Sequence, residues 1–158
     1  MIALVREVLV AAGIEHQDGA RPGEVLASLP GEHKLQTAVS LLVGEHSLSA
    51  SAFVIRRPDE NGAEVHRWLL RRNTGLRGVA YAIDTDGDVF VVGRLPIAAV
   101  SAETLDALLG SVLDAADTAF DPLLALGFIT SIRKEWAWRS SRGESTRNLD
   151  AFRHLLEE

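Results

Sequence analysis

"AYAIDTDGDVFVVGRLP", residues Ala80 to Pro96, decides the fold. Three aspartates, Asp84, Asp86 and Asp88, alternate around Gly87 between two runs rich in β-branched and aromatic residues. A calcium loop of the EF-hand type places oxygen ligands at alternate positions, a glycine after the third and a glutamate at the twelfth. Counted from Asp84, the glycine position holds Val89 and the twelfth holds Leu95, while Gly87 falls inside the acidic series. An Asp-Gly pair between strand-like runs is a hairpin signal, because the turn needs positive φ and glycine adopts it without steric penalty. The stretch reads as two paired strands and their turn, with no metal site.

Outward from the hairpin the period changes. Val65, Trp68 and Leu69 form a helical stripe upstream, with His66, Arg67, Arg71 and Arg72 around it and a stop at Asn73–Gly75. Before that helix, the turns "PGEHK" and "VGEHS" divide residues 24–57 into three strands of an antiparallel meander. Thr37, Val39, Leu41 and Val43 share one strand face, and Phe53 and Ile55 share one face of another. A first helix is expected from about Ile2 to Ala12, followed by a loop containing "QDGARPG". Downstream, Ser101 caps a helix that buries Leu105, Leu108, Leu109 and Val112 and wets Asp106, Asp114 and Asp117. Asp121 and Pro122 are expected to kink or restart it, with Asp121 as cap and Pro122 at the first position. A further helix carries Leu124, Phe128, Ile132 and Trp136, and a short terminal helix runs from Thr146 to Leu156 after "SRGES". Helix, three strands, helix, two strands and helices make an α+β order, not the alternation of a parallel sheet.

The 158 residues suit one domain with a substantial core, and 47% hydrophobic with 24% charged residues is ordinary for a globular protein. No cysteine is present, so disulfides, thiolate metal sites and a cysteine nucleophile are excluded. The N-terminus carries charge within its apolar stretch, and no apolar run approaches the ~20 residues of a membrane span. The expected location is the cytoplasm. A net charge of −6 disfavours nucleic acid and acidic membranes as partners. Six arginines nevertheless cluster between Arg56 and Arg77, and five basic residues between Arg133 and Arg147. Between Gly78 and Thr130, eight acids face the single Arg94. Patches of opposite sign suit self-association, a protein partner or an anionic ligand.

His33 and His46 occupy similar turns at opposite ends of one strand, roughly 30 Å apart at ~3.3 Å per residue, too far to share an ion. They read as exposed turn histidines. No nucleophile elbow, phosphate-binding loop, dinucleotide fingerprint or His-Glu-x-x-His pair is present, which argues against an enzyme and gives no cofactor. In "SIRKEWAWRSSRGES", Trp136 and Trp138 lie about 200° apart on a helix and cannot face the same core. Trp136 continues the apolar side. Trp138 is expected first under the terminal helix and second against a partner, where Trp138, Arg139 and Arg142 have the composition of an interface hot spot. Arg67, Arg71 and Arg72 form a second candidate patch.

The stretch from Leu69 to Asp117 resembles the YbjN family, also known as sensory transduction regulators. The resemblance lies in Leu69-Leu70 to Asn73, Ala80 to Ile83 before the Asp-Gly turn, Leu95-Pro96, and Ser101 to Leu105, with Asp117 closing the last shared helix. It implies the fold of the type III secretion chaperones, commonly dimeric, and brings no catalytic residues. The chain departs from the pattern after about Leu126. The expected organisation is therefore an α+β domain at 1–126 and a helical extension at 127–158 packed on it, similar to actinobacterial members. The expected function is a non-enzymatic, chaperone-like or regulatory module that dimerises and binds a protein segment. The alternative is a small-molecule or nucleotide sensor with an arginine-lined pocket.

Overall fold

The computed structural model describes residues 1–157. Helix α1 (Ile2–Ala11) buries Val5, Val8 and Leu9 and stops where Gly13 takes φ 67°. Four strands follow, β1 (Glu15–Asp18), β2 (Glu24–Pro30), β3 (Gln36–Val43) and β4 (Ser47–Ile55). Helix α2 (Gly62–Asn73) buries Val65 and Leu69 and leads to β5 (Val79–Ile83) and β6 (Val89–Pro96). Helix α3 (Ala102–Gly127) starts in a capping box, in which the Ser101 hydroxyl accepts the Thr104 N–H and Thr104 Oγ1 accepts the Ser101 N–H. Helix α4 (Ile129–Arg142) ends at Gly143, φ 67°. A 3-10 segment (Arg147–Phe152) and α5 (Arg153–Leu156) close the chain.

The strands form one antiparallel sheet in the order β1-β2-β3-β4-β6-β5. Alternation along β4 buries Leu48, Ala50, Ala52 and Val54 under the helices and leaves Ser49, Ser51 and Phe53 on the other face. Helix α3 lies over β4 and β6, with α1 beside it. Leu105, Val112 and Leu123 along α3 are fully buried, each contributing ~1.5–3 kcal/mol by removal from water. The helices cover one face of the sheet, and the opposite face is open.

The α+β order is as expected, with three corrections. The segment read as a loop contains β1, so the meander has four strands and the sheet six. Its burial is almost nil, with only His16 partly covered, which is why no apolar alternation marked it. Second, α3 does not restart at Pro122 but continues through it to Gly127. Ala119 and Leu123 on either side of it are fully buried, and that packing outweighs one lost backbone bond. The break falls at Phe128 because the loop after β4 takes the helix-end carbonyls. Asn61 Nδ2 donates to Leu126 O (2.9 Å), and the Asp59 and Glu60 N–H groups donate to Gly127 O (3.0 and 3.2 Å). Glu60 then accepts the Thr130 N–H at 2.7 Å, capping α4. Third, Asp117 is not on the wet side of α3 but only 8% exposed.

The Asp84–Asp88 turn is a hairpin with a three-residue loop, closed by the Asp84 N–H on Asp88 O (3.1 Å). Only Gly87 takes positive φ, 85°. Asp84 Oδ1 accepts the Asp86 and Asp88 N–H groups (2.9 and 3.0 Å), and Asp88 Oδ1 accepts that of Arg57 (2.7 Å). These two carboxylates serve the turn and the exit from β4. Among the described residues no cluster of three or more His, Asp or Glu side chains is arranged to hold a metal ion, and no helix is long and apolar enough to cross a membrane.

Candidate functional site

The open sheet face carries an aromatic pair. Phe53 and Phe90 meet edge to face at 5.7 Å, and Phe53 remains 38% exposed. Phe53 is expected to share one strand face with Ile55. A bulge between Phe53 and Ile55 in the pairing with β6 separates them, so that Ile55 is buried while Phe53 stays on the outer face. A shallow depression of about 980 Å³ extends from Phe53 and Phe90 across Ser51, Ala38, Ser40 and Leu26 toward β1.

At Phe53 this depression meets a groove of about 520 Å³ between the sheet and the second half of α3. Phe53, Phe120, Leu124 and Phe128 line it, with Lys34 and Arg56 at its sides. The Arg56 guanidinium sits 4.5 Å from the Phe128 ring centre and donates to both Asp59 oxygens (2.7 and 3.1 Å). That hydrogen bonding holds the Asp59 carboxyl below its usual range, against the opposing effect of burial. Lys34 Nζ donates to Phe53 O (2.6 Å) and Val54 O (2.9 Å) and lies 5.0 Å from the Phe53 ring and 5.7 Å from Phe120. Burial lowers its pKa.

The turn that carries Lys34 is fastened to α3. Asp117 Oδ1 accepts the His33 and Lys34 N–H groups, each at 2.9 Å. His33 Nδ1 lies 2.9 Å from Asp121 Oδ2, and since a carboxylate can only accept, the ring nitrogen carries the proton. Both histidines are exposed in their turns, as expected, His33 being in addition hydrogen-bonded to α3 while the His46 side chain is 88% exposed. Gly31 permits the close approach, because a Cβ there would collide with the Lys34 carbonyl and the Asp117 carboxylate.

The arginines singled out in the sequence lie elsewhere. Arg67, Arg71 and Arg72 flank a cleft of about 230 Å³ beside Trp68 and Leu126. Arg67 is 3.6 Å from Glu64, and Arg72 lies 5.2 Å from the Trp68 ring. On the adjoining side of α2, Leu70 is 68% exposed among His66, Arg67 and Arg71. Trp138 is not covered by the terminal segment. It is 48% exposed with the Arg142 guanidinium 4.8 Å from its ring, while Leu149 and Phe152 are buried in the core without reaching over it. Arg139 pairs with Glu135 and donates to Ser145 O (3.1 Å). Neither cleft beside Arg67 and Arg71 includes Trp138, Arg139 or Arg142, so the two patches do not form one pocket.

Sequence reasoning missed the groove. The available signal was the position of Phe53 on the face of β4 that otherwise carries only Ser47, Ser49 and Ser51.

Comparison with known proteins agrees with this architecture. The chain is 47% identical over 156 residues to the Mycobacterium tuberculosis protein Rv0487, covering 96% of this chain and 85% of that one. It is 49% identical over 134 residues to the Mycobacterium leprae protein ML2442, covering 85% and 73%. Among solved structures, E. coli YbjN superposes with a TM-score of 0.58 at 12% identity, covering 79% of this chain and 90% of that one. The ExsC–ExsE complex matches at 0.55 and 22%, covering 74% and 88%. The Yersinia pestis type III secretion chaperone SycH, solved with a fragment of YscM2, matches at 0.51 and 23%, covering 73% and 96%. With residues 2–125 matching the family described as "Putative bacterial sensory transduction regulator", and with the fold of the type III secretion chaperones, the chain belongs to the YbjN family.

Proposed function

We propose that this protein is a non-enzymatic, chaperone-like or regulatory module that dimerises and holds a segment of a partner protein on the open face of its sheet. The observation that carries the reading is the continuity of the Phe53–Phe90 face with the groove lined by Phe53, Phe120, Leu124 and Phe128. An exposed aromatic beside an apolar groove is surface that a soluble protein rarely leaves without a use. The SycH structure with its YscM2 fragment and the ExsC–ExsE complex support the reading, because proteins of this fold are held there with protein partners. Of the two arginine-lined clefts, that of about 230 Å³ lies below the usual size of a small-molecule pocket and that of about 540 Å³ beside Leu70 is open surface, which favours a protein segment over a nucleotide.

Two further surfaces belong to the proposal. The outer side of α2, with Leu70 beside Arg67 and Arg71 and with Arg72 next to them over Trp68, serves self-association, and Trp138 with Arg139 and Arg142 offers a contact to the partner. The division into a domain at 1–126 and an extension at 127–158, and a cytoplasmic location, complete it. The test is a photo-crosslinking amino acid placed at Phe53 and, as a control, at Asp106 on the opposite side of the molecule. Protein adducts at position 53 and none at 106 are expected. Equal labelling at both would reject the sheet face as the seat, and light scattering that shows a monomer at all concentrations would reject dimerisation.

A further inference from the structure

We propose that the groove beside Phe53 selects a partner segment in which an apolar side chain neighbours an acidic one, the carboxylate being received by Lys34. This rests on the protein-binding reading above and specifies the chemistry of the bound segment. The two cations at the groove differ in what they have left to offer. Arg56 is matched by Asp59 through two hydrogen bonds and lies flat on Phe128, so it forms wall. Lys34 has no such partner. Among the described residues no carboxylate lies within ion-pair reach of its ammonium, whose protein acceptors are the Phe53 and Val54 carbonyls.

Two of the three ammonium donors are used, leaving one. The nearby acids are engaged elsewhere: Asp117 with the turn backbone, Asp121 with His33. A part-buried cation without a counter-charge is costly, and a carboxylate brought by the occupant supplies it. Burial lowers the Lys34 pKa in keeping with that unrelieved charge. The Phe53, Phe120, Leu124 and Phe128 surfaces provide the complementary seat for the apolar neighbour. The acid fixes the segment's position, and the apolar side chain supplies burial.

The experiment is selection from a random twelve-residue peptide library on the immobilised full chain, followed by affinity measurement of the enriched peptides. Peptides that pair an apolar residue with Asp or Glu are expected, and replacing that acid by its amide should weaken binding about tenfold, the scale of one hydrogen bond to a charged group. The loss should shrink at high salt and vanish on Lys34→Met, with Lys34→Arg restoring part of it. The acid-to-amide comparison on the wild-type chain stands even if Lys34→Met fails to fold. Peptides that Phe53→Ser displaces but that show no acid preference would overturn this inference and leave the protein-binding reading intact. No enriched peptide, or none sensitive to Phe53→Ser, would overturn both. Oligomers that dissolve on Phe53→Ser would make a second copy the occupant and also overturn it.

Discussion

A single carboxylate oxygen of Asp117, on α3, accepts the backbone N–H of Lys34 at 2.9 Å, and His33 donates to the same atom at 2.9 Å. One acid on the main helix thereby sets the turn that delivers Lys34 to the groove.

Asp117→Ala strips two backbone donors of their acceptor and should cost about 1–3 kcal/mol of stability by urea unfolding at neutral pH. The pKa of Asp117 reflects the same contacts. Burial pushes it up, but the N–H groups of Lys34, His33 and Glu32 outweigh burial and the net shift is downward. With the folded value below the unfolded one, about 3.9, the stabilisation is complete above that pH and lost as pH falls through the folded value. The gap between wild type and Asp117→Ala should therefore narrow in acid. A constant gap would show that the carboxylate charge is not what holds the turn.

Glu24 gives a second acid-side signature. Its carboxylate takes hydrogen bonds from the Arg21 side chain (2.7 Å), the Ser40 hydroxyl and the Arg21 N–H (3.1 Å), and its pKa is lowered to about 2. Its contribution is present above the unfolded value, ~4.3, and lost as pH falls toward about 2. Glu24→Gln should lower the melting temperature at neutral pH and flatten its decline across that window. Parallel melting curves at every pH would refute the assignment.

Gly31→Ala introduces a Cβ against the Lys34 carbonyl and the Asp117 carboxylate. One of these is backbone and cannot swing aside, so a loss of about 1–3 kcal/mol is expected from overpacking. Combined with Asp117→Ala, the loss should be less than additive, because both act on one contact. Additive losses would place the strain elsewhere.

Trp138→Ala should change stability by less than about 1 kcal/mol, since the ring is 48% exposed and its Arg142 contact is a surface cation–π pair. Ile132→Ala, one helical face away and buried, should cost about 2–5 kcal/mol. Thermal unfolding of the two variants separates a surface tryptophan from a core residue, and a comparable loss for both would show that Trp138 packs inward.

The sequence was informative where side-chain period or turn chemistry carries the structure. Gly87 marked the hairpin, Ser101 the start of α3, and Val65 and Leu69 the buried side of α2. It failed where long-range contacts decide. The end of α3 is set by Asn61, Asp59 and Glu60 from a distant loop, which no local reading of Asp121-Pro122 reveals. Asp117 was read as solvated because charge at a helix face usually is, and its partners lie more than 80 residues away. The groove was illegible for a related reason. Alternation alone sets Phe53 on the outer face of β4, but the residues that make a groove of it, Phe120 and Phe128, come alongside only once α3 crosses the sheet.

Asn73 supplies the last prediction. Its side-chain Oδ1 accepts the Tyr81 N–H at 2.7 Å, and its Nδ2 donates to the Tyr81 carbonyl at 3.2 Å. Strand β5 pairs with β6 on one side only, and Tyr81 lies at its centre. The amide therefore occupies both backbone groups through which another strand would pair, as a neighbouring strand would. Asn73→Ala leaves these part-buried groups without partners, at a cost of about 1–3 kcal/mol. Asn73→Asp keeps the acceptor but sets a carboxylate oxygen against the Tyr81 carbonyl, so it should not rescue. Faster hydrogen exchange at the Tyr81 amide is expected in the alanine variant, together with concentration-dependent association by light scattering at fixed salt. Because strand pairing is the cause, a short β-branched peptide added in excess should suppress that association. Unchanged exchange at Tyr81 would show that the edge is closed by other means, and association that ignores the peptide would trace to general loss of stability.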